Sequence, residues 1–213
     1  MYTKRQWKNE VFYNFKYLQY LPKGFDANEK YPLVLFLHGA GERGDDVELV
    51  TEHGLFKNIK QGNEYPFICI APQCPKDKYW GCYIESLNVF LDELCQTLPV
   101  DKSRVYLTGL SMGGTGTFMF AMANPEKFAA IAPICGCGIS WNAKPLLDIP
   151  VYMYHGDCDD VVPISESVTM LTQINKQGGN ARLKICNGVG HNVWEYAYAD
   201  QGLFAWMLSH KKN

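Results

Sequence analysis

Ser111 stands in Gly109-Leu-Ser111-Met-Gly113, directly after the apolar run Val105 to Thr108. A serine hydroxyl becomes a nucleophile only when a base takes its proton and polarised N–H groups hold the oxyanion that forms. Both needs can be met from this chain. His191 follows the glycine-bearing stretch Asn187-Gly-Val-Gly, and three carboxylates, Asp157, Asp159 and Asp160, lie between serine and histidine. An acid of this kind holds an imidazole in the tautomer that accepts a proton and stabilises the cation that results. Spacing alone does not choose among the three. The amide of Met112, at the start of a helix, supplies one oxyanion donor. The loop His38-Gly-Ala-Gly41 supplies a second, read as Ala40 with Gly41 as the alternative. His38 ends a strand on that loop and reads as structural, an imidazole N–H there being able to bridge backbone carbonyls. The chemistry these types permit is acyl transfer through a covalent intermediate.

The elements that must carry these residues alternate. Val105 to Thr108 reads as a buried parallel strand. The glycines that follow permit a cramped turn with Ser111 at its apex and a helix behind it, marked by Phe118, Ala121 and Met122 and stopped by Asn124-Pro125. Before it, Val11 to Leu21 alternates Val11, Tyr13, Phe15 and Tyr17 on one side and predicts an antiparallel edge strand. Leu33 to Leu37 and Phe67 to Ala71 predict buried strands, and residues 45–60 short helical pieces. Ile84, Leu87, Leu91, Leu94 and Leu98 recur at helical steps. Phe128 to Ile134, Pro150 to His155 and Arg182 to Cys186 predict three further strands. Val168, Leu171 and Ile174 mark a helix between the last two, and Leu203 to Leu208 a closing one. Residues 141–147 read as a short excursion over the rim. The alternation predicts an α/β fold, a mostly parallel sheet with helices on both faces and every functional loop on the carboxyl rim. Trp80 and Trp194 fall near that rim and are candidates for walls of a substrate pocket.

Composition bounds what such a protein meets. At 213 residues, with 47% hydrophobic and 20% charged, the chain predicts one domain spanning 1–213. A net charge of -2 at pH 7 and no basic run give no footprint for nucleic acid or anionic membrane. No apolar stretch is long enough to span a bilayer. The first residues lack the apolar core of a secretory leader, so a cytoplasmic protein with its eight cysteines reduced is expected. The cysteine spacings match no zinc site, so neither metal nor cofactor is expected. Oligomeric state is open, because the aromatic N-terminal region does not separate exposed from buried faces.

The order Ser, Asp, His, each on a loop after a strand, is that of the α/β-hydrolase fold and differs from the chymotrypsin-like and subtilisin-like orders. His38-Gly-Ala-Gly-Glu-Arg-Gly44, Ala71-Pro-Gln-Cys-Pro75, Gly109-Leu-Ser-Met-Gly-Gly114, Ala132-Pro-Ile-Cys-Gly136, His155-Gly-Asp-Cys-Asp159 with Val162-Pro163, and Gly190-His191 resemble the phospholipase/carboxylesterase-like branch of that fold. Compact esterases known as predicted peptidases belong to this branch, and feruloyl and acetylxylan esterases are similar. The likeness runs from about Tyr17 to the C-terminus. It implies Ser111, Asp159 and His191 as the triad, Ala40 and Met112 as oxyanion donors, and a serine carboxylesterase acting on short-acyl or hydroxycinnamoyl esters. Its partner would be a small ester, such as an acylated oligosaccharide. A serine peptidase of the prolyl-oligopeptidase type and an inactive hydrolase-like binding protein are the alternatives.

Overall fold

The computed structural model describes residues 1–212. Eight strands form one sheet in the order β1-β2-β4-β3-β5-β6-β7-β8. They are β1 (Tyr2–Gln6), β2 (Lys16–Tyr20), β3 (Tyr31–Leu37), β4 (Ile68–Pro72), β5 (Val100–Leu110), β6 (Ala130–Ile134), β7 (Val151–Gly156) and β8 (Ala181–Cys186). β2 pairs antiparallel with β1 and β4, and every pairing from β4 across to β8 is parallel. The parallel part therefore sends all its carboxyl ends to one rim.

Side chains of the central strands divide by parity, as a pleated strand requires. Leu33, Leu35 and Leu37 join the core on one face with Ile68, Ile70, Val105, Leu107 and Met153. Val34, Phe36, Cys69, Tyr106 and Tyr154 enter the core on the other. Helices α2 (Ile84–Thr97), α3 (Met112–Ala123) and α4 (Ser165–Lys176) cover the first face, through residues such as Leu87, Phe90, Leu91, Phe118 and Met170. Helices α1 (Gly54–Lys60), α5 (Trp194–Ala199) and α6 (Gln201–Ser209) cover the second, through Leu55, Phe56, Tyr198, Leu203 and Phe204. Both faces being covered explains the near-continuous apolar runs of the parallel strands. Residues 141–147 form short 3-10 turns, Ser140–Asn142 and Lys144–Leu146.

The N-terminal region departs from its pattern. The strand expected over Val11 to Leu21 begins only at Lys16, and Val11 is 83% exposed. The side chain of Asn9 accepts from the amides of Val11 and Phe12, a local turn that competes with the ladder. Nor is β2 the edge. That place belongs to β1, whose Tyr-Thr-Lys-Arg-Gln sequence is mostly exposed and is held by backbone pairing from Tyr2↔Tyr20 to Gln6↔Lys16, with Tyr2 and Lys4 both bonded to Glu48.

Candidate active site

β5 ends at Leu110 and α3 begins at Met112, so Ser111 alone makes the turn. It does so at φ 53°, ψ -116°, a left-handed conformation that a non-glycine residue adopts only when its surroundings impose it. Those surroundings are specific. The Ser111 amide donates to the Ile134 carbonyl at 2.9 Å, and its own carbonyl accepts from Thr115. A Cβ at Gly113 would lie 1.9 Å from the Leu37 carbonyl oxygen, and one at Gly109 would lie 2.4 Å from that of Gly113. The two glycines let the first turn of α3 rest on the ends of β3 and β5, which lifts the serine side chain out of the sheet.

His191 arrives on the loop after β8, and Asp159 on the loop after β7. Ser111 Oγ lies 2.7 Å from His191 Nε2, and His191 Nδ1 lies 2.7 Å from Asp159 Oδ2. A carboxylate accepts only, so Nδ1 carries the proton, and Nε2 is left to accept from the serine hydroxyl. The Asp159 side chain is fully buried. Burial alone would push its carboxyl up. Hydrogen bonds from His191 and from the Val162 and Val161 amides, at 2.9 and 3.0 Å, outweigh that and hold it below the ordinary carboxylate range. Asp157 is exposed and takes a different part, accepting from the Gly188 amide at 2.7 Å and so tying the acid loop to the histidine loop. The Cys158 amide adds a second tie to the Val189 carbonyl. Asp160 is exposed.

The loop after β3 is fixed from beneath. His38 is wholly buried, with Nε2 accepting from the Cys74 amide at 2.9 Å. Its proton therefore sits on Nδ1, which donates to the Gly39 carbonyl at 2.6 Å. Burial keeps this ring neutral and lowers its pKa to about 4, partly opposed by the Gly39 bond. In a planar trans peptide the carbonyl and the following N–H point in opposite directions. The grip on Gly39 therefore turns the Ala40 amide away from His38. Arg43 Nε holds the next carbonyl, that of Ala40, at 2.8 Å. A Cβ at Gly39 would meet Leu110 Cδ1 at 2.7 Å, which sets this loop directly against the elbow strand. Ala40 itself is exposed.

The two tryptophans separate. Trp194 is half-buried, with its ring edge-on to His191 at 5.3 Å between centroids and near His53 at 5.6 Å, so it borders the Ser111–His191 pair. Trp80, expected as a pocket wall, is fully buried; its indole N–H donates to the His38 carbonyl at 3.0 Å. A Cβ at Gly116 would fall 2.7 Å from Trp80 Cβ, so the tryptophan packs under α3 and supports the site from the core. Tyr79, after β4, and Trp141, in the connection between β6 and β7, are exposed aromatics. A groove of about 910 Å³ lined by Phe128, Lys144, Pro150 and Lys211 lies at the amino ends of β6 and β7, away from Ser111.

Two residues to which the sequence assigned no role sit against the Ser111–His191–Asp159 series. Cys135, at φ 40°, turns its buried thiol to the His191 carbonyl at 3.5 Å. Burial pushes that thiol far up, so it stays protonated beside Asp159 and His191 and is a poor ligand for an ion there. His155 is the other. Only the positive φ at residue 135 and the fold-back of the acid loop bring them in, and neither is written in a spacing.

A family profile described as phospholipase/carboxylesterase matches residues 82–201, more than half the chain and the part that holds Ser111, Asp159 and His191. The chain belongs to this family of α/β hydrolases. It is 27% identical over 154 residues to a bifunctional acetylxylan esterase/xylanase of Neocallimastix patriciarum, covering 67% of this chain and 21% of that one. It is 25% identical over 168 residues to a probable feruloyl esterase C of Aspergillus terreus, covering 77% and 62%. Among solved structures, that of a thermostable esterase matches 99% of this chain and 63% of its own, with a TM-score of 0.88 and 29% identity. The chain thus spans less than two thirds of the length of each of these relatives. No helix among the described residues is long and apolar enough to cross a membrane.

Proposed function

We propose that residues 1–213 form one catalytic domain, a serine carboxylesterase working through an acyl-enzyme. The observation that carries the reading is the unbroken chain from Ser111 Oγ through His191 to the buried Asp159, both links 2.7 Å, at a strained elbow. His191 Nε2 takes the hydroxyl proton as Oγ attacks the ester carbonyl. The tetrahedral oxyanion is held by the amides of Met112 and Ala40. His191 then returns the proton to the departing alkoxide, leaving Ser111 acylated, and the same histidine activates water to release the acid. Each oxyanion donor is worth about 2.7–4 kcal/mol in such reactions.

Short-acyl or hydroxycinnamoyl esters are the substrate class, a small acylated oligosaccharide among them. Trp194 beside His191 supports a planar aromatic acyl group, as do relatives described as feruloyl esterases. No nucleic acid, membrane or cofactor takes part in this chemistry. The test is a panel of p-nitrophenyl acetate, butyrate and octanoate beside methyl ferulate and a chromogenic peptide amide. Preference for methyl ferulate or the shorter p-nitrophenyl esters is the expected result. Preference for the amide would turn the reading to a peptidase, and turnover of none to a binding protein.

A further inference from the structure

His155 is the penultimate residue of β7 and is fully buried. Its Nδ1 lies 2.7 Å from Ser167 Oγ in the first turn of α4, and its Nε2 lies 2.8 Å from the Val162 carbonyl oxygen and 3.2 Å from Asp159 Oδ2. Nε2 faces two groups that only accept, so it carries the ring proton. Nδ1 then accepts from the Ser167 hydroxyl, which fixes that tautomer. His155 reaches Asp159 by two routes. One is the direct contact with Oδ2, the oxygen that also accepts from His191. The other runs through residue 162, whose carbonyl His155 holds and whose amide donates to Asp159 Oδ1 at 2.9 Å. The buried carboxylate is thereby held at Oδ1 through residue 162 and approached at Oδ2 by His155, and hydrogen bonds lead from Ser167 through His155 and residue 162 to Asp159, and on through His191 to Ser111.

We propose that His155 is a positioning residue for Asp159, setting both its orientation and the negative charge that it turns toward His191. This rests on the reading of Asp159 as the triad acid. The Nε2–H dipole, 3.2 Å from the oxygen that accepts from His191, draws on the charge of that oxygen, so His155 tempers the pull of Asp159 on His191, while its hold on Val162 keeps the acid loop folded back. Titratable groups facing the carboxylate are His155 from β7, His191 from the loop after β8 and Cys135 from the loop after β6. Asp157 and Asp160 are exposed.

His155→Asn retains an acceptor for Ser167 but withdraws the donor from Val162 and Asp159; His155→Gln extends an amide N–H to the Nε2 position. On p-nitrophenyl acetate, His155→Asn should lower kcat about ten- to hundred-fold with KM nearly unchanged. It should also move the acidic limb of the kcat/KM profile to higher pH, because an untempered carboxylate favours the protonated imidazole. His155→Gln should restore most of both. In an Asp159→Asn background, His155→Asn should add less than about a twofold loss, since the two act as a unit.

Equal losses in the Asn and Gln variants with an unmoved acidic limb, or full additivity with Asp159→Asn, would reduce His155 to packing and overturn the proposal. Should His155→Asn not fold, nitrogen NMR of the wild-type rings decides: a protonated Nε2 and bare Nδ1 at His155 are expected, and the opposite tautomer refutes the argument. If Ser111→Ala and Asp159→Asn abolish turnover while His155→Asn leaves it intact, this inference falls and the triad stands. Full activity in Ser111→Ala would remove the triad itself.

Discussion

Replacing Asp159 by Asn changes one atom type, yet the surroundings dictate how the amide must sit. The Val161 and Val162 amides only donate, and both point at Oδ1 of Asp159. The Asn carbonyl must therefore occupy that place, which turns its NH2 to the position of Oδ2, where His191 Nδ1 presents its proton. Donor meets donor. The least costly escape moves the His191 proton from Nδ1 to Nε2, the nitrogen that must receive the proton of Ser111. The fold survives, but the base is occupied and its cation unsupported. The expected loss in kcat is about 10³–10⁴-fold, or ~4–5.5 kcal/mol of transition-state stabilisation. Asp157→Asn weakens only the tie to Gly188 and should cost less than about tenfold, and exposed Asp160→Asn less still. Initial rates on p-nitrophenyl acetate, with circular dichroism to verify folding, measure all three. A folded Asp159→Asn enzyme within tenfold of wild type, or a larger loss in Asp157→Asn, would refute this reasoning.

Gly113→Ala should unfold the elbow or cost at least about 3 kcal/mol, because its Cβ would meet backbone atoms of Leu37 and His38 that cannot swing aside. Gly41→Ala, with open space around it, should leave the urea midpoint unchanged. Trp80→Ala should destabilise by about 3–5 kcal/mol in chemical denaturation, as a fully buried side chain does, whereas Trp194→Ala should act chiefly on KM. Asp101 is held at about 2 by hydrogen bonds from Ser103 and Arg104. A depressed carboxyl stabilises the fold above its unfolded value of about 3.9 and loses that contribution as pH falls toward the folded value. Asp101→Asn should therefore flatten the stability profile between about pH 4 and 2, read from urea midpoints.

The parallel core and the elbow were legible because their patterns answer to one cause. Double-sided burial writes continuous apolar runs, and a turn with no room for Cβ atoms writes Gly109 and Gly113 around Ser111. β1 was not legible: an edge strand stabilised by backbone pairing leaves no mark in Tyr-Thr-Lys-Arg-Gln. The alternation from Val11 was misleading, because it starts inside the turn that Asn9 holds, ahead of the point where pairing begins at Lys16. Choosing among Asp157, Asp159 and Asp160 depends on which side chain the loop folds inward, a property of the Val161 and Val162 amides rather than of the acids. Trp80 and Trp194 look alike in sequence. One lies against Gly116 and the other against His191, a difference made wholly by tertiary packing.

The measurement that bears most directly on the central claim is fluorophosphonate labelling of the wild-type protein and of Ser111→Ala, with hydrolysis of methyl ferulate and p-nitrophenyl acetate followed in parallel. One label per chain on Ser111 and ester turnover, both lost in the variant, are expected. Wild-type turnover in Ser111→Ala, or a serine at position 111 that stays unlabelled while esters are cleaved, would contradict that claim.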